Sequence, residues 1–359
     1  MPFIDYSKKL EEFDPTGQFE VLKSFPMQIG AGLDAADGLD PALLPDCRRG
    51  NAVIAGMGGS AIGGDILRGL ADYRSNIPVQ VRRNYRLPDY SGPDTSVFVI
   101  SYSGDTAEAL SAYDEGGRRG CRRVVITTGG KLAACALRDG IPLVRIPGGC
   151  APRFALGYLF FSLLRTAEKA RLLTLPEGEL EETIDAVEKC TAAYSDWSKP
   201  GNAAVTLAER LHDVIPVVYS GHDYLEAVNL RWRCQFEENA KTLAWGNVIP
   251  EMNHNEIVGW ERNPDLLRRL HVIALRDREE SAEITARMDA TLDLISPHAA
   301  GVDSAEGGAS APQARIFELI CLGDWSSFYL AVGTGTDPFP IHKINALKNA
   351  LSNSKLPPA

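Results

Sequence analysis

Short apolar runs recur along the first half of the chain, each bounded by polar or glycine-rich residues and separated by stretches of helical periodicity. Val53-Ile54, Val79-Gln80-Val81, Val97-Phe98-Val99-Ile100, Val124-Val125-Ile126-Thr127 and Leu143-Val144-Arg145-Ile146 are rich in β-branched residues and read as buried strands. Their spacing, roughly 20 to 30 residues, leaves room for one helix between strands and predicts right-handed βαβ units in a parallel sheet. A helical stretch from Phe154 to about Leu173 then leaves the sheet. The alternation resumes with Ile215-Pro216-Val217-Val218-Tyr219-Ser220-Gly221 and Val272-Ile273-Ala274-Leu275. Residues 299–313, containing Gly307-Gly308-Ala309-Ser310, read as a small-residue loop. A helix from about Ala314 through Leu330 follows it, and another covers about 340–352.

The pattern predicts an α/β chain of two doubly wound domains, with parallel sheets flanked by helices and a C-terminal helix folding back. Its parts are a helical segment at 1–48, a first domain at 49–170, a Glu-rich helical connector at 171–201, a second domain at 202–335 and a terminal segment at 336–359. Ser198-Lys199-Pro200-Gly201 closes the connector. Both halves open with strand, glycine turn and helix, as duplication of one unit would produce, although the second half lacks the double glycine.

Composition narrows the function classes. A net charge of −10 argues against nucleic acid or an anionic membrane surface as the principal partner, but not against a small anionic substrate. The seven cysteines are odd in number, scattered and without a C-x-x-C pair, which favours reduced thiols and a cytoplasmic protein over a disulfide framework or a zinc site. Met1-Pro2-Phe3-Ile4-Asp5-Tyr6 lacks the basic and apolar regions of a signal peptide. No uncharged apolar run reaches about 18 residues, so no membrane span is expected.

Three constellations carry candidate chemistry. The first is a pair of turns that follow strands and open helices, Gly56-Met57-Gly58-Gly59-Ser60-Ala61-Ile62-Gly63-Gly64-Asp65 and Ser101-Tyr102-Ser103-Gly104-Asp105-Thr106. Glycines let a backbone approach a ligand closely, and helix N-termini attract anions. Gly56-x-Gly58-x-x-Ala61 also fits the dinucleotide fingerprint. Arg82-Arg83 at the end of the next strand suits NADP rather than NAD. The hydroxyls of Ser101, Ser103 and Thr106 instead favour one compact phosphate, with Asp105 capping the following helix and Glu108 as its capping-box partner. The second constellation is Pro152-Arg153, after a strand and a glycine turn, where an arginine is either a ligand contact or an ordinary surface ion pair. The third is Glu237-Glu238 followed by His254, a carboxylate and an imidazole suited to moving protons, with adjacent charges that can raise one carboxyl pKa. Lone histidines and paired glutamates are also ordinary structural features. No metal-ligand spacing is present, and His254 with Glu256 is too small a set.

With these segments in place, the chain resembles the bifunctional phosphoglucose/phosphomannose isomerases of the sugar-isomerase (SIS) superfamily. The resemblance rests on both turns, on Pro152-Arg153 with Gly157-Tyr158, and on Glu238-Asn239-Ala240-Lys241 and Asn253-His254-Asn255-Glu256. Leu322-Gly323-Asp324-Trp325, Asp337-Pro338 and Ile344 with Leu347-Lys348 extend it. It implies reversible isomerisation of glucose 6-phosphate and mannose 6-phosphate to fructose 6-phosphate through a cis-enediolate, in glycolysis and gluconeogenesis, without a cofactor. By the same resemblance Gly59 and Ser60 border the sugar, and Ser101, Ser103 and Thr106 hold its phosphate. Glu238 moves the proton between C1 and C2, Arg153 stabilises the enediolate, and His254 assists ring opening from the neighbouring subunit of a homodimer. Lys348, or the nearby Lys343, stands by the ring oxygen. Three positions depart from the family pattern: Asp105 where Asn is usual, Ala151 where a polar residue often precedes Pro-Arg, and Phe339 where a small hydroxyl residue is common. The last two bear on the mannose epimer more than on the glucose epimer. A non-catalytic sugar-phosphate-binding SIS regulator is the alternative, because the fold alone does not decide between them.

Overall fold

The computed structural model describes residues 4–352, so the start of the stretch read for a signal peptide and the last seven residues of the terminal segment lie outside the described residues. Two compact units divide the chain. Residues 24–177 with 348–352 form the first unit, and residues 4–23 with 178–347 form the second.

In the first unit β1 (Asn51–Ala55), β2 (Val79–Arg82), β3 (Thr95–Ile100), β4 (Arg122–Thr127) and β5 (Leu143–Arg145) form a parallel sheet in the order β2-β1-β3-β4-β5. The helices of the two units, numbered along the chain, begin with α1 (Tyr6–Phe13) and α2 (Gln18–Lys23), which belong to the second unit. The first unit contains α3 (Phe25–Asp37), α4 (Gly59–Ala71), α5 (Ala107–Arg118), α6 (Gly130–Asp139) and α7 (Leu156–Lys169). Val53, Val97, Val99 and Val125 pack with Ala109, Tyr113 and Leu132 in one buried cluster. Their neighbours Ile54, Phe98, Val124 and Ile126 point to the opposite face and are equally buried. Burial on both faces is why these strands read as continuous apolar runs rather than alternating ones.

The second unit contains α8 (Glu179–Ser195), α9 (Ala203–Arg210), β6 (Ile215–Gly221), α10 (Leu225–Asn239), β7 (Trp245–Ile249), α11 (Pro264–Leu267), β8 (Leu270–Arg276), α12 (Ala282–Ile295), β9 (Gly301–Glu306) and α13 (Pro312–Gly333). A last helix, α14 (His342–Ser352), follows. The strands form a parallel sheet in the order β7-β6-β8-β9. The N-terminal helical stretch is thus shared between the units: Tyr6 packs edge-on against Tyr329, with ring centroids 5.1 Å apart, and Phe19 against Trp325 at 5.3 Å. The Glu-rich connector supplies α8, which packs on α13 in the same unit.

Two strands differ from the sequence expectation. Residues 301–306, read as part of a loop, form β9, and β7 was not foreseen at all. Both are edge strands. Only one face and one side of such a strand meet the core, so Gly301-Val302-Asp303-Ser304-Ala305-Glu306 carries a single β-branched residue and no apolar run. Helix α13 is long and apolar enough to cross a membrane by length and composition, yet 83% of its apolar window is buried. A helix apolar on every side is the core helix of its unit. Its interrupting charges are neutralised in place: Arg315 grips Asp277, and Asp324 grips Arg231.

Candidate active site

The carboxyl edge of the first sheet gathers four turns. After β1 the chain enters α4 through Gly58, whose φ is +49°, and Ser60 lies buried in the first helical turn. Ser60 Oγ accepts a hydrogen bond from the Tyr102 backbone N–H at 3.1 Å, which joins this turn to the one after β3. There Ser101 Oγ accepts from the Gly104 N–H (3.1 Å) and donates to Thr106 Oγ1 (2.9 Å), while Ser103 Oγ accepts from the Asp105 N–H (3.2 Å). These bonds use the acceptor side of Thr106 and Ser103 and leave both hydroxyl hydrogens for a ligand oxygen. Ser101 itself is buried, Thr106 half-buried and Ser103 exposed. Thr106 is the N-cap of α5 and makes no capping bond with its side chain, so the positive end of that helix faces the same place.

The sequence reading gave the capping role to Asp105, with Glu108 as its partner, and the structure corrects it. Asp105 Oδ1 accepts from the Lys131 N–H at 3.1 Å and so caps α6 instead. The reason lies in the backbone. Gly104 has φ +75°, and a Cβ there would lie 1.9 Å from the Gly129 carbonyl oxygen. That contact brings the turns after β3 and β4 together, and the carboxylate of Asp105 reaches the neighbouring helix rather than its own. Thr128 seals the join, its N–H and Oγ1 both donating to the Tyr102 carbonyl at 3.1 and 2.7 Å.

Arg153 is buried, on the short 3-10 turn Pro152–Phe154, with its guanidinium 4.9 Å from the Phe154 ring centroid. It is therefore not the exposed surface arginine of the alternative reading. The turn lies directly on Gly59: a Cβ there would meet the Pro152 carbonyl oxygen at 2.8 Å and the Arg153 nitrogen at 3.3 Å. Gly59, Ser60, Ser101, Ser103, Thr106 and Arg153 are thus brought to one edge of one sheet. Arg83, the residue that suited NADP, makes two hydrogen bonds with Asp65 of α4. Arg82 donates to the Arg86 carbonyl at 3.3 Å. At the amino end of the same sheet a cavity of ≈ 510 Å³ is lined by Arg49, Arg122, Lys169 and Arg171 around Asp46. Its Lys169 is occupied in holding the C-terminal end of α3, donating to the carbonyls of Ala36, Asp37 and Leu39.

Glu238 lies in the second unit, half-buried near the C-terminal end of α10. The residues after it fix that end. Asn239 Nδ2 donates to Ser327 Oγ at 3.0 Å, and Lys241, at φ +56°, donates from Nζ to the carbonyls of Glu238 (2.5 Å) and Pro338 (3.1 Å). The carboxyl lifted above its ordinary value is the neighbouring Glu237, through desolvation first and the charge of Glu238 in addition. His254 is exposed, on the 3-10 turn Glu251–His254 that follows β7. Its segment is anchored on either side: Asn253 Nδ2 donates to Thr291 Oγ1 at 2.7 Å, and Glu256 accepts from Tyr219 and from Asn247 Nδ2. Those bonds occupy the carboxylate that the sequence had set beside His254 as a loose metal pair. Among the described residues no group of three or more His, Cys, Asp or Glu is arranged to hold a metal ion.

The topology separates Glu238 from His254 within one chain. Helix α10 runs back to the amino end of β7, where Trp245 pairs with Val217, and the short link 240–244 joins them. His254 follows the other end, where Ile249 pairs with Gly221. The two residues therefore flank opposite edges of the second sheet, with the length of β7, at about 3.3 Å per residue, between them. Lys343 and Lys348 are both exposed on α14, about 140° apart around the helix.

The model of the bacterial phospho-glucose isomerase C-terminal SIS domain matches residues 201–351. A bifunctional phosphoglucose/phosphomannose isomerase of Caldicellulosiruptor bescii is 40% identical over 304 residues, 84% of this chain and 90% of that protein. One from Aquifex aeolicus is 34% identical over 83% and 89%. The chain belongs to the bifunctional phosphoglucose/phosphomannose isomerase family. In fold it is similar to a solved hypothetical protein of Thermus thermophilus, with a TM-score of 0.71 at 16% identity, covering 97% of this chain and 94% of that one.

Family membership gives the remaining motifs a physical reading. Asp324, of Leu322-Gly323-Asp324-Trp325, takes a bidentate bond from Arg231 (3.0 and 2.6 Å) and a third from Gln235 Nε2 (2.9 Å), all buried, and so holds α10 against α13. Trp232 adds a bond from its indole N–H to the Leu319 carbonyl at 2.9 Å. These motif residues build the support under Glu238. Sequence reasoning missed Tyr102, whose only signal was a large aromatic residue set between two serines of a hydroxyl-rich turn.

Proposed function

We propose that the chain is an aldose–ketose isomerase that interconverts glucose 6-phosphate and mannose 6-phosphate with fructose 6-phosphate. The observation that carries this reading is the turn after β3, whose free hydroxyl hydrogens and uncapped helix start lie on the same sheet edge as the buried Arg153. The relatives' names supply the reaction. Ser101, Ser103 and Thr106 hold the 6-phosphate, and binding energy gathered there positions C1 and C2. His254 assists ring opening. Glu238 takes the proton from C2 of the open aldose while the C1 carbonyl oxygen gains negative charge, giving the cis-enediolate. Arg153 stabilises that charge, the C2 hydroxyl proton passes to the C1 oxygen, and Glu238 returns its proton to C1 as the carbonyl forms at C2. Proton transfer by one positioned base is worth ~10²–10⁴-fold, and stabilisation of the enediolate adds to it. Lys348 of α14 stands near the ring oxygen.

The reading includes a homodimer. Glu238 and His254 flank opposite edges of one sheet, which supports a site completed by His254 of a second copy. Seven cysteines without a disulfide suit a reducing, cytoplasmic setting.

A coupled assay of the purified protein on both aldose phosphates tests the proposal, run in D₂O so that solvent deuterium reports the enediolate. Turnover with deuterium entering C1 of the product is expected. Saturable sugar-phosphate binding without turnover would overturn it and favour the regulator. Because Ala151 and Phe339 depart from the family pattern, brisk glucose 6-phosphate turnover with background mannose 6-phosphate turnover would remove the second substrate and leave the isomerase reading intact.

A further inference from the structure

Tyr102 touches every turn at the phosphate edge. Its N–H donates to Ser60 Oγ of the first turn (3.1 Å), and its carbonyl accepts from Thr128 of the third. Its hydroxyl reaches the fourth, accepting from the Cys150 N–H at 3.3 Å and lying 3.2 Å from Cys150 Sγ. The ring is buried, and burial raises the phenol above its ordinary value, so the hydroxyl keeps its proton. Cys150 stands three residues before Arg153, after Pro147-Gly148-Gly149, a stretch with two residues lacking a side chain to anchor it. On one side the Arg153 turn rests on the bare Cα of Gly59, and on the other it is tethered by Tyr102.

We infer that Tyr102 is a positioning residue that couples the phosphate grip to the placement of Arg153: its backbone belongs to the phosphate turn, and its hydroxyl fixes the loop that carries the guanidinium. This rests on the role given to Arg153 above. The backbone bonds of Tyr102 do not depend on its hydroxyl, so loss of the hydroxyl moves the Arg153 loop and leaves the phosphate turn in place. Displacement of a charge-stabilising group by an ångström or less lowers the rate of the chemical step more than binding.

The test is Tyr102→Phe in the full-length protein, assayed on fructose 6-phosphate, with Cys150→Ser, Arg153→Ala and the Tyr102→Phe/Arg153→Ala double variant. Thermal melting confirms that each is folded. Tyr102→Phe is expected to lower kcat about tenfold or more, with KM and the inhibition constant of inorganic phosphate within about twofold of wild type. Cys150→Ser, which keeps a donor and acceptor at the same place, retains kcat. In the Arg153→Ala background, removing the hydroxyl costs little more, because the group it positions is gone. Unchanged kcat in folded Tyr102→Phe, or a full tenfold loss added on top of Arg153→Ala, would overturn the coupling. Wild-type kcat in Arg153→Ala would instead overturn the role of Arg153 itself, a separate failure.

Discussion

The two sheets repeat one plan and put it to opposite uses. The order β7-β6-β8-β9 matches the first four positions of β2-β1-β3-β4-β5, so β8 stands where β3 stands. After β3 come serine and threonine hydroxyls whose hydrogens are uncommitted. After β8 comes Asp277-Arg278-Glu279-Glu280, and it is filled from within. Arg315 holds Asp277 through two bonds at 2.7 and 3.0 Å and reaches Glu279 at 3.1 Å, while Arg276 holds Glu280 at 3.2 Å. The helix starts differ in the same sense. Helix α12, the counterpart of α5, is capped by Ser281 Oγ, which accepts from the Ile284 N–H at 3.3 Å. Helix α13, the counterpart of the Asp105-capped α6, is filled as well. At α13 the N–H groups of Ser310 and Ala311 donate to Glu182 (2.6 and 3.2 Å), and that of Gln313 to Glu179 (3.0 Å). The chain's own carboxylates take the place an anion would take. At α5 no side chain of the N-cap does so. The first unit leaves these donors open, whereas the second commits its own to internal ion pairs and caps. In the proposed function the open donors take the phosphate, and Glu238 and His254 move the protons.

Breaking the filled edge should cost stability and not binding. Arg315→Met leaves the Asp277 carboxylate buried without its partner, and loss of one member of a buried pair costs about 3–5 kcal/mol. Chemical denaturation of the variant checks this, with sugar-phosphate affinity expected to stay at the wild-type value. The same pair sets an acid dependence. Burial raises the Asp277 carboxyl, but Arg315 and the Glu279 N–H outweigh it, and its pKa lies below the ordinary carboxylate value. The stabilisation is then present above the unfolded value of about 3.9 and lost as pH falls through the folded one. Denaturation midpoints followed downward from pH 6 should fall less steeply in Asp277→Asn than in the wild type.

Breaking the open edge should do the reverse. Ser103→Ala removes from an exposed side chain a hydroxyl hydrogen that the proposed function directs to the phosphate, and water replaces the bond it accepted from the Asp105 N–H. Hydrogen bonds to charged groups are worth about 1.5–3 kcal/mol, so KM for fructose 6-phosphate should rise about 10- to 150-fold with an unchanged melting temperature. The smallest effect belongs to the scaffold between the turns. Asp105→Ala removes the cap of α6 and should lower stability by about 1 kcal/mol, with KM moving only slightly. A large rise in KM would return Asp105 to the phosphate site.

How much of this was legible in the sequence follows from burial. The central strands announced themselves because both faces are covered, as in Val97-Phe98-Val99-Ile100. The edge strands β7 and β9 did not, since Gly246 and Asn247, or Asp303 and Ser304, suit half-covered positions that carry no apolar period. The two turns proposed to hold the phosphate stood out because glycine and hydroxyl residues at a helix start have few other reasons to cluster. The partner of Asp105 was not, because it depends on a backbone contact between Gly104 and Gly129, residues far apart in sequence. Asp324 shows the same limit: its motif was visible, but its three buried bonds to α10 come only with the packing of α10 on α13.

The proposed division between a binding unit and a proton-transferring unit is tested most directly at Glu238. Fructose 6-phosphate binding to Glu238→Gln is measured by calorimetry alongside its turnover. The amide fills the same space without accepting the proton, so affinity should remain near the wild-type value while kcat falls by ~10²–10⁴-fold. Turnover within tenfold of wild type, with binding intact, would contradict the account.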